Sequence, residues 1–413
     1  MKTVAIIAEY NPFHNGHMYQ LSQSISATGA DYSIALMSGN FLQRGDAALI
    51  DKYSRAHMCI SSGIDLVLEL PFPYATGSAL DFSMGAVSIL DSLNSIDYLC
   101  FGAETPILNI FYKIANVILE EPDSYKNSLK SYMSGGFSYP SARQKALTEY
   151  FRDDFIASFV SSPNNILGLE YICALKRLGS SIVPVPIMRK SAGYHDPVLY
   201  GKISSATAIR NFLYNANALD GIRQDVPRST YDILSEKYKK SWPVYTDYLT
   251  PFLQAHLILN ENYSEICDIN EDISNKISKL TADITYSQAL NRLTTKEYTK
   301  SRIKRCLIHL IMGYTREHRQ SFIDNGYSFY SSILGFRRSS SSLLKYIKDN
   351  SLIPVITKKA DFSKELEKYN SNAASSGQMW MLDTRATELY NCLIYNSLGY
   401  SNTNDFITPL PIL

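Results

Sequence analysis

The first half of the chain alternates short β-branched runs with amphipathic segments, and this order constrains the fold more than any other feature. Apolar runs lie at residues 3–9, 32–37, 65–70, 97–101 and 181–187. Segments with helical spacing separate them, near residues 17–27, 52–62, 79–93, 106 into the 120s, and 165–178. Strands that alternate with helices form parallel βαβ units, which right-handed crossovers assemble into a doubly wound sheet. The sequence predicts a Rossmann-like α/β fold with its ligand site at the carboxyl ends of the strands.

The pattern changes after about Arg223, where no further strands are predicted. Residues 247–259, 266–284, 301–314 and 385–397 carry helical periodicity. A chain of 413 residues exceeds the usual ceiling of roughly 250–300 residues for one hydrophobic core. We therefore expect two domains: a Rossmann-like nucleotide-binding domain over residues 1–222 and a mainly α-helical, basic domain over residues 223–413.

The composition and the hydropathy pattern predict the cellular compartment of the protein. The formal net charge is +1 and the mean hydropathy is −0.13. No run reaches the ~18–20 apolar residues that a membrane span needs, and the apolar run after Met1 is broken at Glu9, so neither a membrane span nor a secretory signal is predicted. The six cysteines are scattered singly, without CxxC spacing. We expect a cytoplasmic protein whose cysteines are small buried apolar side chains.

The string Asn11-Pro12-Phe13-His14-Asn15-Gly16-His17 follows the first predicted strand directly. Free amides at a helix start favour phosphate, a glycine lets the backbone approach a nucleotide, and imidazoles stabilise charge that develops on the α-phosphate. The plainer alternative is a turn with two incidental histidines. A zinc site is not predicted, because it needs a third ligand and neither Cys nor another His lies nearby in sequence. The position after the first strand favours a nucleoside triphosphate.

A second string, Ile203-Ser204-Ser205-Ala206-Thr207-Ala208-Ile209-Arg210, follows the last predicted strand and opens a helix. Hydroxyls and free amides at a helix start, with Arg210 one turn further on, suit the β- and γ-phosphates of a departing pyrophosphate. The alternative is an N-capped helix with a surface arginine. The pair of strings favours phosphate binding.

Together these strings resemble the two signatures of the His-x-Gly-His nucleotidyltransferase superfamily. Residues 8–17, 37–45, 69–71, 101–104, 162–168 and 192–196 further resemble the bacterial tRNA(Met) cytidine acetate ligases, densely over the first 210 residues and loosely afterwards. Ala206 departs from the superfamily's Ser-Ser-Thr form but matches this closer family. The resemblance implies that ATP activates acetate as an acetyl-adenylate, and that the acetyl group passes to N4 of the wobble cytidine of elongator tRNA(Met).

The resemblance also implies site residues. His14, His17 and Arg210 are expected to be catalytic, and Mg²⁺ is expected with the triphosphate without a dedicated protein cage. A tight turn at Gly102, a helix cap at Asn165 and solvated charge at Arg189-Lys190 are the plainer alternatives. The residues implied to bind ATP are Ile7, Ala8, Glu9, Asn11, Pro12, Phe13, His14, Asn15, Gly16, His17, Gln20, Gly102, Asn165, Arg189, Lys190, Ser205 and Thr207.

The loop Gly39–Gly45 follows the second predicted strand. We hypothesise that this loop, with Lys52 and Arg55 on the next helix, borders the acyl or cytidine site. The alternative is a charged loop in solvent.

A basic stretch lies in the C-terminal part. Its apolar residues, such as Ile303 and Leu307, fall on one helical face, and most of its charges fall elsewhere. In a protein that acts on tRNA, such a stretch predicts a phosphate-tracking RNA surface; otherwise it is a solvated face. The residues are Arg292, Lys296, Lys300, Arg302, Lys304, Arg305, Arg316 and Arg319, supported by Arg337, Arg338, Lys345 and Lys348.

Two other functions stay open at this point. A small-molecule adenylyltransferase would keep both phosphate motifs, but it would not need the long helical, basic part. A non-catalytic RNA-binding protein would need neither histidine nor Arg210. The preferred hypothesis is an ATP-dependent ligase with acetate, ATP and tRNA as partners.

Overall fold

A computed structural model of the chain describes residues 1–190, 204–216, 218–260, 262–369 and 373–413. The string at residues 192–196 and the first residue of the second phosphate string, Ile203, lie outside the described residues.

The described residues form one seven-stranded sheet, in the order β5-β4-β1-β2-β3-β6-β7. β1 pairs in parallel with both β2 and β4, with Ile6 opposite Ala35 on one side and Cys100 on the other. The strands are β1 (Thr3–Ala8), β2 (Tyr32–Ser38), β3 (Leu66–Leu70), β4 (Tyr98–Ala103), β5 (Val183–Met188), β6 (Ser331–Phe336) and β7 (Val355–Ile356).

Helices cover both faces of the sheet and make up most of the C-terminal part. They are α1 (Asn15–Thr28), α2 (Lys52–Ser61), α3 (Phe72–Ala75), α4 (Ala79–Ser92), α5 (Leu108–Glu120), α6 (Asp123–Ser134), α7 (Tyr139–Phe151), α8 (Asp154–Phe159), α9 (Pro163–Leu178), α10 (Ala206–Ala216), α11 (Arg228–Lys237), α12 (Thr250–Leu259), α13 (Glu271–Ile277), α14 (Tyr286–Leu293), α15 (Lys300–Met312), α16 (Arg316–Asp324), α17 (Ser341–Asn350), α18 (Phe362–Glu367) and α19 (Ala373–Leu398).

The five predicted strands are confirmed as β1 to β5, and they pair in parallel as predicted. The order reverses at β1, because the chain first moves outward through β2 and β3 and then returns to place β4 on the other side of β1. Ligands of doubly wound sheets bind in the crevice at such a reversal. The residues after β1 and β4 therefore flank the place where a ligand is expected.

The mainly helical character predicted for the chain after Arg223 is confirmed, but this part also supplies two strands that were not predicted. β6 pairs antiparallel with β3, and β7 pairs in parallel with β6. The run Ser331–Phe336 is short and carries two serines and a glycine, so its composition gives a weak strand signal, and the pairing that fixes it reaches back more than 250 residues. The C-terminal part is mainly helical, but it also extends the N-terminal sheet. A domain boundary at residue 222 stays a prediction.

Both faces of the sheet are apolar, which is what a sheet covered on two sides requires. Along β1, Ala5 and Ile7 belong to one buried cluster, and Val4 and Ile6 belong to the other. The larger cluster continues into the C-terminal part through residues such as Leu307. The sheet is thus the middle layer of a three-layer structure.

A buried ionic cluster fastens the C-terminal segment to β3. Lys52 Nζ lies 2.7 Å from Glu69 Oε1 and 2.8 Å from Asp405 Oδ2, and Lys359 Nζ lies 2.9 Å from Glu69 Oε2. Burial acts to lower the pKa of Lys52, but the carboxylates of Asp405 and Glu69 hold it well above its ordinary value. Each buried charge is paired, as burial of ions demands.

Candidate active site

The turn after β1 is anchored on both sides. Asn11 is buried, and its side-chain carbonyl accepts a hydrogen bond from the backbone N–H of Leu49 at 2.8 Å. Phe13 is fully buried, and its ring contacts those of Tyr10 and His17. These contacts set the position from which α1 begins.

His14 and His17 form a capping box at the start of α1. His14 Nδ1 accepts from the backbone N–H of Gly16 at 3.0 Å, and His17 Nδ1 accepts from the backbone N–H of His14 at 3.2 Å. A neutral imidazole that accepts at Nδ1 carries its proton on Nε2. The two rings stack with centroids 3.7 Å apart and an interplanar angle of 26°. The turn therefore holds two Nε2–H donors side by side.

Both histidines are neutral at physiological pH. Burial, with the nearby charges of Arg189 and Arg210, lowers the pKa of His14 from 6.5 to about 3. Burial, the neighbouring His14 and the same two arginines lower the pKa of His17 well below its ordinary value. Neutral imidazoles can donate hydrogen bonds beside two guanidinium groups without repelling them.

Arg210, which belongs to the second phosphate string, contacts the first string. Its Nη1 donates to the backbone carbonyl of Asn11 at 2.8 Å, and its Nη2 lies 3.2 Å from Thr207 Oγ1. Ser205 Oγ accepts from the backbone N–H of Ala208 at 3.1 Å in the first turn of α10. Arg210 is therefore held against the histidine turn, and its role at the phosphates stays a prediction.

At the end of β4, Gly102 lies close to the side chain of a second arginine, Arg189. A Cβ added to Gly102 would lie 3.1 Å from Arg189 Cγ. Arg189 Nη1 donates to the side-chain oxygen of Asn164 at 3.2 Å. The adjacent Asn165 is fully buried and accepts from the backbone N–H of Thr105 at 3.1 Å. Asn164 reaches the cavity described next, and Asn165 supports the loop behind it.

A cavity of about 650 Å³ opens at the reversal of the sheet. Gly16 and Lys190 line a smaller adjoining cavity of about 50 Å³, and Pro12, Phe13, Asn15 and Asn165 line neither. The predicted residues that line the large cavity are Ile7, Ala8, Glu9, Asn11, His14, His17, Gln20, Gly102, Arg189, Ser205, Thr207 and Arg210.

The loop after β2 borders the same cavity, and its place at an acyl or cytidine site stays a hypothesis. Its residues Leu42, Gln43 and Arg44 line the wall, and the backbone N–H of Gln43 donates to Glu9 Oε1 at 3.0 Å. Gly45 has a φ of +78°, and an added Cβ would lie 2.6 Å from backbone atoms of α15. Only a glycine lets this loop pack so closely on the C-terminal part.

The part of that hypothesis that concerns Lys52 and Arg55 is wrong. Lys52 belongs to the buried ionic cluster. Arg55 is fully buried and donates to the backbone carbonyls of Glu9 at 2.7 Å and Ser38 at 3.0 Å. Buried cations need fixed partners, and both side chains find them away from the cavity. They shape the loop from behind.

The cavity also has a wall that the sequence analysis did not anticipate. Tyr214 on α10 lies one turn beyond Arg210, a spacing that places both side chains on one face of the helix and could have revealed it. The other residues come from distant parts of the chain, and although Lys300 and Lys304 belong to the predicted basic stretch, no local pattern placed any of these residues at the cavity. They are Val244, Tyr245, Thr246, Lys300, Ser301 and Lys304.

The basic stretch divides into paired and exposed charges. Arg302 is half-buried over the ring of Tyr298. The predicted residues that pair with carboxylates within the protein are Lys304 with Asp46, Arg305 with Asp268, Arg319 with Asp81, and Arg337 with Asp65. Ile303 and Leu307 are buried as predicted. The exposed basic residues are Arg292, Lys296, Lys300, Arg316, Arg338, Lys345 and Lys348.

Other expectations concern metals, cysteines and membranes. Across residues 1–190, 204–216, 218–260, 262–369 and 373–413, no three His, Cys, Asp or Glu side chains are grouped to hold a metal ion. Within the same ranges, no helix combines the length and apolarity that a membrane crossing needs. Cys392 is exposed, and the other five cysteines are buried.

Comparison with known proteins agrees with this geometry. The family HIGH Nucleotidyl Transferase matches residues 1–405. Relatives named tRNA(Met) cytidine acetate ligase, from Thermoanaerobacter sp. (strain X514) and Caldanaerobacter subterraneus subsp. tengcongensis, are each 38% identical to this chain and aligned over 99% of both sequences.

Solved structures extend the comparison. The apo crystal structure of Thermotoga maritima TmcAL (form I) matches with a TM-score of 0.94 at 31% identity, and the crystal structure bound with alpha-thio ATP (form II) matches with a TM-score of 0.90 at 30% identity. Both matches cover 100% of each chain. The chain belongs to the HIGH Nucleotidyl Transferase family and, within it, to the tRNA(Met) cytidine acetate ligases.

Proposed function

We propose that this protein activates acetate with ATP and transfers the acetyl group to N4 of the wobble cytidine of elongator tRNA(Met). One observation carries the proposal: both phosphate-binding strings line the same cavity and contact each other there. The chain also aligns over 99% of its length with a relative named tRNA(Met) cytidine acetate ligase. The Thermotoga maritima relative binds alpha-thio ATP, which supports ATP as the nucleotide in this cavity.

In the first step, an acetate oxygen attacks the α-phosphorus of ATP. A new P–O bond forms, the bond from the α-phosphorus to the bridging oxygen breaks, and pyrophosphate leaves. The Nε2–H groups of His14 and His17 would donate to the phosphate oxygens as negative charge builds on them, and Arg210 would follow the leaving pyrophosphate. Donors that are fixed before the reaction need no reorganisation while it proceeds.

In the second step, the cytidine N4 attacks the carbonyl carbon of the acetyl-adenylate. The C–N bond forms, the C–O bond to the phosphate breaks, AMP leaves, and the amine's proton passes to water. Free acetate does not acylate an amine at a useful rate, because oxide is a poor leaving group. Adenylation supplies AMP as a good one.

Mg²⁺ would bind through the triphosphate of ATP and not through a dedicated set of protein ligands. Within the part of the chain that the structure describes, the carboxylates that line the cavity are Glu9 and Asp46. Glu9 already accepts from the backbone of Gln43, and Asp46 already pairs with Lys304. Two separately engaged carboxylates do not form the oxygen-rich set that a resident Mg²⁺ requires.

The tRNA would contact the exposed members of the basic stretch. Arg292 in the last turn of α14, Lys296 in the segment that follows, and Lys300 at the start of α15 are exposed. Phosphate contacts of this kind contribute most of the salt-dependent part of RNA affinity. The paired Lys304, Arg305 and Arg319 are excluded from this surface, because binding RNA would break their ion pairs. A protein with these substrates is expected in the cytoplasm.

Nucleoside analysis tests the proposal. The purified protein is incubated with ATP, bulk bacterial tRNA and isotope-labelled acetate, and the RNA is digested for mass spectrometry. We expect labelled N4-acetylcytidine that requires ATP and maps to the wobble position of tRNA(Met). Labelled propionate in a parallel reaction tests the choice of acid. Acetate-dependent pyrophosphate exchange without label in RNA would refute the acceptor, and absence of both would favour the small-molecule adenylyltransferase.

A further inference from the structure

The large cavity has two halves of different origin. One half carries the histidine turn, Gly102, Arg189 and Arg210. The other half is lined by the loop after β2, by the segment before α12 and by the start of α15, through Leu42, Gln43, Arg44, Asp46, Ala47, Val244, Tyr245, Thr246, Lys300, Ser301 and Lys304. The mechanism above assigns the first half to ATP and leaves the second half without a ligand.

α10 connects the two halves. Thr207, Arg210, Asn211 and Tyr214 all line the cavity, and their spacing of three, four and seven residues places them on one helical face. Thr207 and Arg210 bond to each other and face the histidine turn. Tyr214 lies one turn further along and contacts Tyr245 in the second half. A ligand in that half would therefore lie next to the phosphate-binding residues.

The second half presents aromatic rings at its mouth. The ring of Tyr245 packs edge-on against Tyr214 at a centroid distance of 4.6 Å and against Tyr248 at 5.6 Å. Tyr245 is half-buried and Tyr214 is 60% exposed. Two T-shaped contacts fix the orientation of Tyr245, while both cavity-lining rings stay accessible. Fixed, accessible aromatic rings are the platforms on which proteins stack unpaired nucleobases.

Positive charge lies beside these rings. Lys304 is neutralised by its ion pair with Asp46. Lys300 is exposed, lines the same half and begins α15. Among the residues that the structure describes, no carboxylate lies within ion-pair distance of Lys300. Its charge is thus available to a phosphate at the rim of the cavity.

We propose that the second half is the subsite for the acceptor nucleotide: its base stacks on Tyr245, the ring of Tyr214 at 73° to Tyr245 borders the base, and Lys300 contacts the adjoining phosphate. This inference rests on the proposed function and names residues for its second step. An unpaired anticodon base is the chemistry that fits, since a paired base has no free face to stack. The arrangement places the acceptor amine next to the site where the acetyl-adenylate forms.

The test separates activation from transfer. Acetate-dependent pyrophosphate exchange measures activation without tRNA, and kcat/KM for tRNA measures transfer. Tyr245→Ala should lower kcat/KM for tRNA by about 5- to 150-fold, the value of one stacked base, and leave exchange within about twofold. Tyr245→Phe should retain most of the transfer activity because it keeps the ring. Tyr214→Ala is a second variant that removes a largely exposed side chain and should act in the same direction.

The salt dependence of tRNA binding tests the proposed phosphate contact of Lys300. Lys300→Ala should weaken tRNA binding and reduce the slope of log K against log salt by about 0.7–0.9, as the loss of one phosphate contact requires. Tyr395→Ala and Lys130→Ala are matched controls, since both residues are exposed and neither lines the cavity. Both controls should leave exchange, transfer and the salt slope unchanged.

Two results would overturn the inference. Unchanged kcat/KM for tRNA in Tyr245→Ala and Tyr214→Ala would show that no base stacks there. An equal loss of exchange and transfer would show that this half holds the acetate or the ATP. If the wild-type protein exchanges pyrophosphate but modifies no RNA, the proposed acceptor itself is refuted, and the inference falls with it.

Discussion

Replacing His14 with asparagine separates the two roles that the structure gives this imidazole. Asparagine is a good N-cap residue, so its side-chain oxygen can replace Nδ1 as acceptor for the backbone N–H of Gly16. It cannot replace the Nε2–H donor, and it does not titrate. His14→Asn should therefore keep the helix start while it removes both the donor to the phosphate and the contribution of His14 to the pH dependence of stability.

The size of the pH effect follows from the shift in pKa. The pKa of His14 is lowered from 6.5 to about 3, by burial first and by the nearby arginines second. Below pH 6.5 the unfolded chain binds a proton here that the folded protein does not bind until near pH 3. The contribution of neutral His14 to the free energy of unfolding is therefore fully present above pH 6.5, and it is lost as the pH falls below that value. The loss between pH 7 and pH 5 is about 2 kcal/mol.

The assay combines denaturation with kinetics. Denaturant unfolding of the wild-type protein and His14→Asn is compared at pH 7 and pH 5, and the variant should lose about 2 kcal/mol less on acidification. Pyrophosphate exchange at pH 7 should fall by about 10²- to 10³-fold, as when one fixed donor to a developing negative charge is removed. His57→Asn serves as the activity control, because His57 lies outside the cavity. Equal acid sensitivity in both proteins, or full exchange activity in the variant, would refute the assignment of a neutral, donating imidazole.

Three further substitutions test other contacts. Arg210→Lys keeps the positive charge but loses the planar guanidinium group that reaches both Asn11 and the start of α10. Acetate-dependent pyrophosphate exchange, measured as a function of ATP concentration, should therefore fall at least about tenfold. Gly45→Ala should lower the free energy of unfolding by more than Gly29→Ala, since both have positive φ at a cost of about 1–2 kcal/mol but only Gly45 has backbone in the way. Lys52→Met leaves Lys359 to face the two buried carboxylates of Glu69 and Asp405 without Lys52, and it should cost about 3–5 kcal/mol in denaturant unfolding. Lys126→Met, at an exposed ion pair, should cost under about 1 kcal/mol.

Local sequence predicted the parts of the fold that are fixed locally. β1 to β5 are apolar runs separated by helical segments, so their parallel pairing and the position of the histidine turn follow from order and periodicity. β6 was missed because its strand character comes from pairing with β3, which lies far away in sequence. The same holds for Tyr245 and Lys300, which reach the cavity only through tertiary packing.

Side-chain partners were the least predictable feature. Lys52 and Arg55 are polar residues near a candidate site, and that position alone suggested a role in binding. Their burial beside Glu69 and the backbone of the β2 loop could not be inferred from spacing. Lys304 shows the same limit, since its ion pair with Asp46 joins residues more than 250 positions apart. Charge is visible in a sequence, but whether a charge is already paired is a property of the fold.

The central claim is that acetate attacks the α-phosphorus of ATP at the turn that carries His14 and His17. Acetate labelled with ¹⁸O in both carboxylate oxygens tests it directly, with tRNA present and the products analysed by mass spectrometry. The account predicts one ¹⁸O in AMP for each N4-acetylcytidine formed, because the carboxylate oxygen stays on the α-phosphorus when the amine takes the acetyl group. Label in inorganic phosphate together with ADP would show attack at the γ-phosphorus and would contradict the account.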